Sequence, residues 1–292
     1  MMLLPWAHVT SAGFTLRGWH SLPSGKPVLH FLHGNGFCCR TYEPLLARLA
    51  RHFDLWLCDL QGHGESDHGG AFVGWNRNAE LALEAFEAGR ARFGQAPLFA
   101  CGHSFGGVLT ALMMSARPGL FRRAVLLDPV IFPPRIILMR QLLHLVGRRE
   151  HAVSRKARAR RAHWPDRPAA HASLLDRGMF RGWERAAFDA HIEHALRDRP
   201  GHGVELKCRP EREAEVFESM PAGLWKALRR IETPTLILHG ASSYPFVAES
   251  AARLAKINDA VSDSVLPGGH CFMLEQSAVA ARSIESSLLG AP

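Results

Sequence analysis

Short apolar runs that stop at glycine loops, each followed by a stretch with helical spacing, recur along most of the chain. "KPVLHFLHGNGF" reads as a buried strand ending in a glycine turn, and Thr41 to His52 reads as the helix after it. "FDLWLCDLQGHGESD" repeats the logic and leads into "NRNAELALEAFEAGRARFG", whose apolar residues recur at helical intervals. In "LFACGHSFGGVLTALMM" a third strand passes through Gly102, His103, Ser104, Phe105 and Gly106 into a helix. A fourth, "FRRAVLLDPVIFPP", is stopped by Pro133 and Pro134. Such alternation predicts a parallel sheet with helices on both faces and a ligand site at the carboxyl ends of the strands. The mixed stretch from His8 to Ser21 predicts one or two edge strands ahead of it.

From Pro133 to about Ile231 the alternation stops. This stretch is rich in Arg, His, Trp and Ala, is broken by Pro165, Pro168, Pro200, Pro210 and Pro221, and reads as several short helices. "TPTLILHGAS" and "AVSDSVLPGGHCF" then resume the strand pattern, and "MLEQSAVAARSIESSLLG" reads as a closing amphipathic helix. The prediction is one α/β core from residues 1–132 and 232–292, with residues 133–231 inserted as a helical cap. At the head of the insertion, Ile136, Met139, Leu142, Leu143 and Val146 fall near one helical face, a stripe expected to pack on the domain beneath or to line a substrate pocket.

Composition narrows the function classes. The 292 residues and 47% hydrophobic content suffice for a large core. Six cysteines form no CxxC pair and no metal-ligand spacing, which favours a reducing compartment. Neither a secretory leader nor a membrane-length apolar run is evident, so a cytoplasmic protein is expected. The net charge is +8, and the segment Arg135 to Arg161, with nine Arg or Lys and one Glu, carries all of it. That run reads as solvated surface or as a patch touching an anionic membrane surface. Basic residues interleaved with aromatics do not occur, so nucleic acid is not an expected partner.

Serine between glycines at a strand-to-helix turn has a chemical reading. The sharp turn lifts the hydroxyl clear of the sheet, and a neighbouring base can then activate it as a nucleophile. The Phe105 N–H, at the head of the following helix, points where a carbonyl oxygen becomes negative during attack. Asn35, in the "HFLHGNGF" turn at the same sheet edge, offers a second N–H.

Five motifs in order, "FLHGNGF", "DLQGHGES", "GHSFGG", "TPTLILHG" and "PGGHCFMLEQ", make the chain resemble an α/β-hydrolase-fold serine hydrolase with a cap. The resemblance covers nearly all of the chain outside the insertion. It implies Ser104 as nucleophile, His270 of "GGH" as general base, and Asn35 and Phe105 as the oxyanion hole, with His33, His63 and His103 serving loop architecture. It implies no metal or organic cofactor. The departure is the acid: much of the family has aspartate where "HGASSYPF" places Ser243, and serine cannot carry the charge that stabilises an imidazolium. Asp128, closing the strand after the elbow helix, takes a position where some relatives, certain haloalkane dehalogenases among them, place their acid. Asp59 resembles a loop brace, and Asp259 and Asp263 lie before or within the last strand. The expected activity is hydrolysis of a carboxylic ester or related acyl bond of a small molecule with an apolar acyl part, through an acyl-enzyme. Alternatives are a perhydrolase or C–C bond hydrolase on the same site, or a non-catalytic binding relative.

Overall fold

A computed structural model describes residues 1–145 and 152–290 of the chain. Its main sheet has eight strands in the order β1-β2-β4-β3-β5-β6-β10-β11. The strands are β1 (Leu3–Val9), β2 (Thr15–Ser21), β3 (Val28–Leu32), β4 (Asp54–Asp59), β5 (Leu98–His103), β6 (Arg123–Leu127), β10 (Thr235–Gly240) and β11 (Val261–Leu266). The first two form an antiparallel hairpin that pairs antiparallel with β4, and every other pairing is parallel. The edge strands expected between His8 and Ser21 are this hairpin, which begins at Leu3. The fold is that of an α/β hydrolase, with a mostly parallel sheet and helices on both faces.

Alternation along the central strands assigns the two faces. Val28 and Leu32 of β3, with Ala100, Ala124 and Leu126, join a core built with α2 (Trp75–Gly89) and α3 (Phe105–Ala116). Leu29, Phe31, Phe99, Cys101, Val125 and Leu127 face the opposite way, toward α1 (Glu43–Leu49) and α12 (Ser277–Leu289). Strands buried on both faces read as continuous apolar runs, which is why β3, β4 and β6 were legible without a period of two. The helix expected over Thr41 to His52 is a 3-10 turn, Cys39–Tyr42, followed by α1.

The segment between β6 and β10 departs from the expectation of helices alone. It holds α4 (Pro134–Leu145), α5 (Ala152–Arg158), α6 (Arg167–Leu174), α7 (Arg185–His194), α8 (Pro210–Glu218) and α9 (Leu224–Leu228). It also holds a three-stranded antiparallel sheet of β7 (His163–Trp164), β9 (Gly203–Leu206) and β8 (Leu196–Arg199). Those strands are two to four residues long and mix polar with apolar residues, so no apolar run announces them. Glu205 of β9 ties them through His163, Arg197 and Arg199.

Of the stripe expected to pack on the domain beneath or to line a substrate pocket, Ile136 and Leu143 are half-buried while Met139 and Leu142 face outward. Ile137 packs against the α2/α3 core, whereas Leu138, Met139, Leu142 and Leu145 are exposed, Leu145 by 81%. The inward place is taken by Arg140, whose guanidinium lies over the Phe132 ring and donates to the Phe217 carbonyl at 2.5 Å. A long aliphatic stem with a satisfied head fills that position, and Leu138, Leu142 and Leu145 face outward. Val146 and the 146–151 part of the basic run lie outside the described residues. No helix among the described residues is long and apolar enough to cross a membrane.

Candidate active site

The strand ends after β3, β5, β6, β10 and β11 meet at one edge of the sheet. Ser104 follows β5 with φ 54° and ψ −114°, a conformation that costs an L-residue about 1–3 kcal/mol and is imposed by its surroundings. Its N–H donates to the Leu127 carbonyl at 2.9 Å, and its own carbonyl accepts from Val108 at the first turn of α3. Gly106 lets this turn sit against the end of β3, since a Cβ there would lie 2.5 Å from the Leu32 and His33 carbonyl oxygens.

His270 and Asp128 arrive from distant parts of the chain. His270 Nε2 is 3.0 Å from Ser104 Oγ, and Nδ1 is 2.6 Å from Asp128 Oδ2. A carboxylate only accepts, so Nδ1 carries the proton and Nε2 is free to accept from the Ser104 hydroxyl. Asp128 is fully buried and, like Ser104, has positive φ, at 44°. Its N–H donates to the Leu238 carbonyl at 2.7 Å, and its Oδ1 accepts the Gly240 N–H at 2.8 Å. Gly240 permits the close approach that brings the histidine loop over this point: a Cβ there would stand 2.2 Å from the Gly269 carbonyl.

Ser104, His270 and Asp128, three of the residues singled out in the sequence, are therefore in hydrogen-bond contact. Phe105 is the first residue of α3, where the N–H has no intrahelical acceptor, and Asn35 lies in the loop after β3, its Oδ1 3.1 Å from His63 Nε2. The Asn35 side chain is anchored by the insertion, its Nδ2 donating to the Glu213 carbonyl at 3.0 Å. Of the other aspartates weighed, Asp59 accepts the Cys39 and Glu65 N–H groups at 2.8 and 3.0 Å, Asp263 lies within β11 and Asp259 in the turn before it.

His33, His63 and His103 are fully buried, and burial pushes each imidazole below its ordinary range. His33 Nδ1 donates to the Gly34 carbonyl at 2.8 Å and its Nε2 accepts the Leu60 N–H at 3.0 Å, so the ring braces the β3 and β4 loops together. His103 Nε2 donates to the His270 carbonyl at 3.0 Å, and its Nδ1 accepts from the Tyr42 hydroxyl at 2.6 Å. That hydroxyl in turn accepts the Gly34 N–H at 3.1 Å. One directed chain thus links the Asn35 turn, the elbow and the histidine loop. Tyr42 was missed in the sequence because nothing in its helical run distinguishes it. His33 Nε2, Cys39 Sγ and an Asp59 oxygen lie within 4.8 Å of one another, a spacing open to a metal ion. The His33 and Asp59 atoms already accept backbone N–H groups, and burial together with the Asp59 charge keeps the Cys39 thiol protonated.

Aromatic rings run in an arc from the elbow to the histidine. Phe105 meets Trp75 edge-on at 4.6 Å, Phe132 stacks on Phe246 at 5.5 Å, Phe246 on Tyr244 at 5.7 Å, and Tyr244 lies 5.0 Å from the His270 ring.

Residues 31–282 match the model of the alpha/beta hydrolase family, a span that takes in every residue of this constellation. The chain belongs to the alpha/beta hydrolase family. Within that family it is 30% identical to the human (Homo sapiens) monoglyceride lipase over 118 residues, 39% of each chain. It is 42% identical to the pimeloyl-(acyl-carrier protein) methyl ester esterase of Proteus mirabilis over 48 residues, 16% of this chain and 18% of that one. The matches thus span less than half the length of these curated relatives. The crystal structure of an E-2-(acetamidomethylene)succinate hydrolase superposes with a TM-score of 0.77 at 21% identity, covering 99% of this chain and all of the other. That likeness is one of fold.

Proposed function

We propose that this family member is a serine hydrolase that cleaves a carboxylic ester, or a related acyl bond, of a small molecule with an apolar acyl part. The observation that carries the reading is the unbroken hydrogen-bonded series from Ser104 Oγ through His270 to Asp128, at 3.0 and 2.6 Å. Ser104 Oγ forms a bond to the acyl carbon as its proton passes to His270 Nε2, and the N–H groups of Asn35 and Phe105 hold the resulting oxyanion. Collapse breaks the carbon–alkoxide bond, and Nε2 returns the proton to the departing alcohol. Water then attacks the acyl-enzyme with His270 again as base, releasing the acid and regenerating Ser104. Asp128 stabilises the imidazolium present at each tetrahedral stage. Its contact with His270 supports a catalytic role over the non-catalytic binding reading, which rested on the uncharged Ser243.

The segment 133–231 serves as a cap in this reading, because Glu213 holds the Asn35 side chain and Trp183 packs on Phe37 of the same turn at 5.5 Å. The outward leucines of α4, with Val153, Arg155 and Lys156 exposed on α5, support contact with an anionic lipid surface. The deciding experiment for the chemistry is labelling by a fluorophosphonate probe. Wild type should label and hydrolyse p-nitrophenyl esters, and Ser104→Ala should do neither while keeping its thermal transition, with a rate loss on the order of a millionfold. A Ser104→Ala protein with wild-type esterase rates would remove Ser104 as nucleophile.

A further inference from the structure

Ser243 stands three residues beyond the end of β10, where an acid was expected, and its side chain still belongs to the site. The hydroxyl donates to Asp128 Oδ2, the same oxygen that accepts His270 Nδ1–H at 2.6 Å. The turn that carries it is tied to the histidine loop by the Ser242 N–H, which donates to the Gly268 carbonyl at 2.9 Å, and to the end of β10 by the Ser243 N–H, which donates to the Gly240 carbonyl at 3.1 Å. Asp128 thus accepts three hydrogen bonds, from Gly240, Ser243 and His270, and two of them compete for one oxygen.

We propose that Ser243 is a positioning residue that sets the pH range in which His270 acts as a base, by withdrawing charge from the Asp128 oxygen that faces the imidazole. The proposal rests on the triad reading above. A carboxylate oxygen that shares its charge with a second donor attracts the imidazolium less, so His270 releases its proton at lower pH than it would beside an unshared oxygen. The other groups facing the pair are His103 at the end of β5, Tyr244 at the head of α10 (Pro245–Ile257), Cys271, and Glu275 of α11 (Phe272–Glu275). Burial holds the His103 imidazole low and the Tyr244 phenol and Cys271 thiol high. The Glu275 carboxylate is engaged by the Gly269 N–H at 3.0 Å. Burial thereby holds His103, Tyr244 and Cys271 uncharged around the pair.

The direction of the effect follows. Removing the Ser243 donor leaves more negative charge on the Asp128 oxygen that faces the imidazole, which favours the imidazolium. Ser243→Ala should move the acidic limb of the kcat/KM profile upward by about half a pH unit. Ser243→Thr, which keeps the hydroxyl, should leave the limb in place. Ser243 is half-buried on a turn, so neither change opens a core cavity.

The test has two arms. NMR titration of the His270 ring, in Ser104→Ala and in Ser104→Ala/Ser243→Ala, should show the midpoint rising in the double variant without any need for turnover. Kinetic pH profiles of wild type, Ser243→Ala and Ser243→Thr should show the same displacement in Ala and none in Thr. An unmoved or lowered midpoint, or a rate reduced by one factor at every pH, would overturn the proposal and leave Ser243 as a spacer. Failure of the triad reading would appear separately, as esterase activity that survives Ser104→Ala.

Discussion

Asp128→Asn should lower kcat/KM on p-nitrophenyl esters by about a thousandfold to ten-thousandfold without unfolding the protein. The carboxylate is fully buried and 2.6 Å from His270 Nδ1. With the charge centres about 4 Å apart and an effective dielectric constant of about 20, its attraction for the imidazolium is about 4 kcal/mol, or about three decades of rate. The amide can add to this loss. An Asn –NH2 turned toward Nδ1 would donate to it and place the ring proton on Nε2, where it cannot accept from Ser104. In a protease triad the same change costs about ten-thousandfold. Stability should suffer less, because the Asn oxygen can still accept the Gly240 N–H that Oδ1 now takes. The assay is initial-rate hydrolysis over a range of substrate concentrations, alongside a circular-dichroism melt. Adding Ser243→Asp should restore at least tenfold over Asp128→Asn, since the Ser243 side chain already touches the carboxylate to be replaced. An Asp128→Asn protein keeping more than about a tenth of wild-type kcat/KM would refute the reasoning.

Other measurements address the core and the insertion. His30 in β3 is fully buried between Phe86 and Phe121, neither ring nitrogen has a hydrogen-bond partner among the described residues, and burial lowers its pKa from 6.5 to about 3. A depressed histidine contributes stability that is present above pH 6.5 and lost as pH falls toward 3, so wild type should lose about 2 kcal/mol from this group between about pH 7.5 and pH 5. Urea titrations of His30→Leu should show a loss smaller by that amount, and an equal loss in both proteins would show that His30 is not the acid-sensitive group. Leu142→Asp with Arg155→Glu and Lys156→Glu should cut co-sedimentation with phosphatidylserine vesicles at low salt by at least tenfold, at about 1 kcal/mol per basic residue near the surface. Equal binding by variant and parent, or binding by neither, would return α4 and α5 to ordinary surface.

Much of the site was legible because its signals are local. The turn residues around Ser104 reflect steric demands within a few positions, and the glycines they require are written beside the serine. His270 was found from its place after the last strand, and the buried strands from their unbroken apolar runs. Asp128 was a choice among several aspartates. Its partnership with His270 spans 142 positions and depends on the β6–β10 register, the positive φ at Asp128 and the approach of Gly240 to Gly269.

Patterning along the chain therefore determined the layered α/β architecture, because burial on one or both faces imposes a period that each segment displays by itself. It also determined which residue types stood at the strand ends. Tertiary structure alone decided how those ends combine. Ser243 looked like a lost acid, and only the packing of β10 beside β6 turned it into a donor to Asp128. The same holds for the small β7-β9-β8 sheet, whose strands are too short and polar to carry a period, and for α4. Its amphipathic face was evident, but its direction, with Arg140 in the inward position over Phe132, shows only in the fold. A single sequence records what each residue prefers, whereas which surfaces meet depends on the competition among all of them for the same buried space.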